Sequence, residues 1–186
     1  MRRVLKASPQ DLWLDTIRRA KLPEHDSLIY WMLSQTECDF AIAVHAFYRS
    51  DPIAYLDDPK PLPLRPSPSN IFALVLQNWD TGSYRSHRLL VEDIDVTARQ
   101  IARLNQKIMA KPKGALPFSI PPRFLQPEGG DPLKLPPHLS PEDARNLWPL
   151  YAELKLDVPD APPGIRRRLA KAAAVLRRLG LLRDTP

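Results

Sequence analysis

The chain has 186 residues, 27 of them basic and 21 acidic, for a net charge of +6 at pH 7. That length buries the core of one domain without a metal or disulfide staple, and a single cysteine, Cys38, excludes an intramolecular disulfide. The longest apolar run, Ile71-Phe72-Ala73-Leu74-Val75-Leu76, falls far below the roughly 18 residues of a membrane span, and Pro9 and Asp11 precede any leader-like apolar stretch, so a reducing cytoplasm is the expected location.

The first helix signal is Ser8-Pro9-Gln10-Asp11, with Ser at the N-cap, Pro at the first helical position and Asp in the first turn, where the helix dipole favours negative charge. Leu28, Ile29, Trp31, Met32 and Leu33 form a broad apolar helix face. Asp39 can cap the next helix, whose stripe is Phe40, Ala43, Val44 and Phe47, and Ala41, Ala43 and Ala46 permit close helix approach. Prolines then crowd residues 52–68. Because proline lacks the amide donor and fixes φ, that stretch reads as an extended connection.

Ser69 or Asn70 can cap a helix from Ile71 to about Trp79, apolar nearly all round and therefore central. Gly82 follows where a left-handed residue is needed after a helix. Thr97 and Gln100 have capping-box spacing, and Ile94, Ala98, Ile101, Leu104 and Ile108 form the next stripe, closed by Pro112. A second Pro-rich connection spans 111–141 and carries Leu116, Phe118, Ile120, Phe124, Leu125 and Leu133, enough apolar side chains to lie on the body. Ser140-Pro141-Glu142-Asp143 starts another helix, which Pro149 ends or kinks. The last helix follows Pro163 and sets Ile165, Leu169, Ala172, Leu176 and Leu179 against Arg167, Lys171 and Arg178.

No segment alternates as a strand does, so the expected fold is all-α: a single irregular bundle of about six or seven helices. The domain division is a helical body over 1–160, including both Pro-rich connections, and a basic amphipathic helix over 161–186, packed on the body or appended to it. All of the net charge lies in that tail. Residues 163–186 hold seven basic residues against Asp184, leaving 20 basic and 20 acidic before them.

Two segments carry a likeness to a known family: Glu37-Cys38-Asp39-Phe40-Ala41-Ile42-Ala43-Val44-His45-Ala46-Phe47-Tyr48 running on to Pro52, and Asn78-Trp79-Asp80-Thr81-Gly82-Ser83-Tyr84. In order and wording they resemble a bacterial domain-of-unknown-function family, number 4274, over about residues 28–109. The resemblance implies a small helical domain and no activity. It makes Asp39, His45, Asn78, Trp79, Asp80, Gly82 and Tyr84 structural landmarks without an assigned role.

The local signatures of catalysis are missing: no Gly-x-Ser-x-Gly elbow, no phosphate-cradling Gly-rich loop, no His-Glu-x-x-His pair. No cofactor or metal is expected, and Cys38 and His45, seven residues apart, read as core residues. His45 near Asp39 or Asp80 is the one arrangement that offers proton transfer, against the commoner role of a hydrogen-bonded core histidine. Asn78, Asp80 and Gly82 together suit a helix exit. Arg166, Arg167, Arg168, Lys171, Arg177 and Arg178 are the candidate binding residues, for nucleic-acid phosphates or an anionic membrane surface. The leading expectation is a non-catalytic protein-interaction module, an adaptor or immunity-type protein. The alternatives are a nucleic-acid or anionic-surface binder through the tail, and an enzyme with a site near His45 and Asp80.

Overall fold

Capping chemistry sets most helix boundaries in the computed structural model, which describes residues 2–133 and Tyr151. The helices are α1 (Arg2–Lys6), α2 (Gln10–Arg19), α3 (Asp26–Leu33), α4 (Phe40–Arg49), α5 (Pro52–Asp57), α6 (Ile71–Asp80), α7 (Ala98–Met109) and α8 (Pro122–Leu125). Asp39 caps α4 by accepting from the Ala41 amide, Asn70 caps α6 by accepting from Ala73, and Thr97 and Gln100 close a reciprocal capping box on α7. The fold is all-α. Among the described residues the strand-like pairing is a single isolated bridge, Leu89 with Asp131, and no helix is long and apolar enough to cross a membrane.

Residues Arg2–Leu135 cluster as one compact unit with α4 at its centre. Every residue of α4 from Phe40 to Tyr48 is buried, as an apolar helix with small residues at 41, 43 and 46 requires. It packs against α2, α3, α5 and α6, and α6 buries its first six residues. Aromatic rings fill the space between these helices. Phe124 lies 4.9 Å from Phe47, 5.2 Å from Phe40 and 5.5 Å from Trp79, and Phe47 stacks on Phe72 at 5.6 Å. Each fully buried Phe contributes about 1.5–3 kcal/mol by area alone, and ring pairing adds about 0.5–1.5 kcal/mol. Within the described part of the second Pro-rich connection, Phe124 joins the core: it is fully buried, and its carbonyl accepts from the Tyr48 hydroxyl at 2.8 Å.

Several local expectations are corrected. Pro9 occupies the N-cap of α2 in place of Ser8 and makes no side-chain cap hydrogen bond. Residues 52–57 form α5, where an extended connection was expected. Proline at the first helical position gives up an amide that would be unpaired anyway, and Asp51 caps the turn. For the same reason α8 can begin at Pro122 inside the second connection. Ile94 does not join the α7 stripe. It lies in the turn before the Thr97 cap and is 65% exposed, and Leu104 is the buried residue of that helix. The expected helices after Ser140 and the 160/161 boundary lie outside the described residues.

Candidate functional site: a buried polar scaffold and an exposed Pro-rich edge

Asp39 does more than cap a helix. Its Oδ1 accepts from the Ala41 amide at 3.0 Å, while Oδ2 accepts from the Ser86 hydroxyl at 2.7 Å and the Arg88 amide at 2.9 Å. The Phe40 amide donates to the Ser86 carbonyl at 2.8 Å, and the Asp39 amide donates to Gln10 Oε1 at 3.0 Å. One fully buried carboxylate thus clamps the start of α4 to the 86–88 segment, beside the start of α2.

His45 leads to a second carboxylate that the sequence reading did not name. Its Nδ1 lies 2.9 Å from Asp95 Oδ1, which also accepts from Arg18 Nε at 2.8 Å; Asp95 Oδ2 accepts from Arg18 Nη2 and from the Glu92 amide at 2.9 Å. Arg18 Nη1 reaches Glu92 at 2.9 Å. Burial by itself pushes the Asp95 carboxyl up, but the hydrogen bonds from His45, Arg18 and the Glu92 amide, with the Arg18 charge, hold it below the usual carboxylate range. A carboxylate has no proton to give, so His45 donates from Nδ1 and directs Nε2 away from Asp95.

Nε2 is buried without a protein hydrogen-bond partner, and His45 lines a cavity of about 10 Å³ among Ile17, Leu22, Ile29 and Ile71. That is space for about one water. Asp80 sits at the exposed end of α6 and does not line this cavity, and Asp39 is committed to its cap, so the structure does not join His45, Asp39 and Asp80 into one site. Cys38 is buried with its thiol pushed up by burial and then by Asp39 and Glu37. Among the described residues, no group of three or more His, Cys, Asp or Glu side chains is placed to hold a metal.

The Asn78–Tyr84 landmarks tie α3 to α6. Asn78 Nδ2 and the Tyr84 hydroxyl both donate to the Leu33 carbonyl at 2.9 Å, at the carboxyl end of α3. To reach it, Tyr84 turns inward with φ 62° and is fully buried. Gly82, at φ 91°, makes the preceding left-handed turn. Trp79 packs on Phe40 and Phe124 and carries the Arg85 guanidinium 5.2 Å from its ring centre. These are the contacts of a helix exit. No protein-family model, no curated protein and no solved structure matches this chain.

The surface feature that stands apart is the segment joining α5 to α6. Lys60, Pro61, Pro63 and Arg65 are exposed, and Leu64 is 98% exposed. The segment is nevertheless fastened: Gln77 Nε2 donates to the Pro63 carbonyl, the Tyr55 hydroxyl donates to Asn70 Oδ1 at 3.0 Å, and the Ser67 and Ser69 hydroxyls lie 2.8 Å apart. From the sequence this stretch reads as an extended connection and as one of the exposed Pro-rich edges on which the interaction-module expectation rests. Its proline spacing was the available signal. Arg166, Arg167, Arg168, Lys171, Arg177 and Arg178 lie outside the described residues.

Proposed function

We propose that this chain is a non-catalytic protein-interaction module of the bacterial cytoplasm, of adaptor or immunity type, which presents the edge between α5 and α6 to another protein. The observation that carries this reading is Leu64, 98% exposed between exposed Pro63 and Arg65. A single exposed leucine is ordinary. Leu64 differs because the surrounding prolines and the Gln77 hydrogen bond to the Pro63 carbonyl restrict the backbone beside it, which lowers the ordering entropy that opposes binding. The tiny cavity at His45 supports a scaffolding role for the His45, Asp95 and Arg18 network over an enzymatic one.

The test compares proteins retained from host lysate by the full chain and by a Leu64→Asp, Arg65→Glu variant of equal thermal stability. The expected result is a retained protein lost on substitution by about tenfold or more. Equal retention by both forms rejects the reading. One observation favours a second reading: residues 163–186 hold the whole net charge of +6. It makes the tail a binder of nucleic acid or an anionic surface, with affinity falling steeply with salt and lost on truncation at Asp160.

A further inference from the structure

The chemistry of the exposed edge specifies the kind of partner. Residues 59–63 read Pro-Lys-Pro-Leu-Pro, with Pro66 and Pro68 following. Each proline fixes its own φ near −65° and disfavours the helical region for the residue before it, so Lys60 and Leu62, each set between two prolines, favour extended or polyproline II backbone. Residues 59–63 accordingly have no helix, strand or turn; the chain bends just before them at Asp58 and just after them at Leu64 and Arg65. Such a run is low in entropy and leaves its backbone solvated, which is the form read by grooves lined with aromatic side chains.

Exposure grades along the edge. Pro61, Pro63 and Leu64 are exposed and Leu62 is half-buried; Pro61, Leu62 and Pro63 together line one side of a hollow of about 400 Å³ beside Tyr55 and Asn70. Lys60 pairs with exposed Asp58 at 2.7 Å, a contact worth little at the surface. Arg65, exposed just past the bend, offers a cation next to the apolar face.

We infer that residues 59–63 are a polyproline II ligand, docking exposed Pro61 and Pro63 into an aromatic-lined groove of a partner protein, with Leu64 and Arg65, past the bend, meeting that groove's apolar and acidic rim. This rests on the interaction-module reading and narrows it to one recognition mode. An exposed helix face would instead call for a helix-binding groove, and the other large exposed apolar side chains, Ile94 and Met109, mark where such a mode would act.

The experiment places a photo-reactive amino acid at Leu64, Ile94 or Met109 in separate full-length chains, irradiates each in host lysate, and maps the cross-linked peptide on the captured protein. The expected result is cross-linking from position 64 to a groove with at least two aromatic side chains and a carboxylate, reduced about tenfold by a Pro61→Ala, Pro63→Ala variant that leaves Leu64 in place. Cross-linking from 94 or 109 alone overturns this inference and the α5–α6 edge as the docking surface, and leaves only a protein-interaction role through another face. A cross-link from 64 to a groove without aromatic residues, or to a second copy of this chain, also overturns it. Capture from none of the three positions removes both.

Discussion

Replacing Asp95 with Asn keeps the side-chain shape and removes the charge around which His45 and Arg18 are arranged. The side chains of Arg18 and His45 are 7% and 2% exposed, so the variant leaves a nearly buried guanidinium with the partly exposed Glu92 as its remaining counter-charge. Removing one partner of such a pair costs about 3–5 kcal/mol, to be read from urea unfolding. The wild-type contribution has a defined pH window. Folded Asp95 binds its proton less readily than the unfolded chain, so its stabilisation is complete above the ordinary carboxylate range and disappears as pH falls through the depressed folded value. His87 is a second titrating reporter. Burial lowers it first, Arg123 and Arg85 lower it further, and Asp39 opposes them. Because the folded form again holds its proton less readily, stability falls as pH drops below the histidine range near about 6.5. An NMR titration should place His87 below that range, and Arg123→Gln should raise it. Here the sequence was legible to a limited depth: His45 stands out on an apolar helix, but its partner is 50 residues away and Arg18 reaches the same carboxylate across 77, separations that no local pattern encodes.

Asp39, Asn70 and Thr97 were readable as caps because a side-chain oxygen beside an unpaired amide is a local interaction, decided within three residues. What Asp39 does with its other oxygen was not readable, because Ser86 and Arg88 arrive from another part of the chain. An Asp39→Ala change should therefore cost more than an ordinary cap, about 2–4 kcal/mol by urea unfolding, and coupling to Ser86→Ala in a double-mutant cycle should be measurable. A loss no larger than that of an exposed cap would show that the clamp adds nothing. Gly130 is the matching case on the loop side. A Cβ there would lie 2.0 Å from the Leu89 carbonyl carbon, at the bridge where the Leu90 amide donates to Asp131 and the Asp131 amide to Arg88, both at 2.8 Å. Gly130→Ala should break that bridge and speed amide exchange at Leu90 and Asp131. Proline misled the reading at α5 and α8, because its restriction on φ suits a helix start as well as an extended strand.

At the scale of the whole molecule, the all-α class followed from helical periodicity and the absence of alternation, and α4 and α6 form the core because they are apolar on nearly every side. The division of labour was less legible, since whether a Pro-rich stretch lies flat or stands exposed depends on what packs beneath it. Residues 111–133 bring Phe124 into the core, whereas 58–69 leave Leu64 in solvent. On this reading the buried polar scaffold holds out one pre-ordered edge for a partner. Hydrogen–deuterium exchange on the full chain, free and bound to its captured partner, tests it most directly. The expected result is slowed exchange at Lys60, Leu62, Leu64 and Arg65 on binding, with α4 and α6 unchanged. Protection confined to 85–88, or to the basic residues from Arg166 to Arg178, with the α5–α6 edge exchanging as in the free chain, would contradict it.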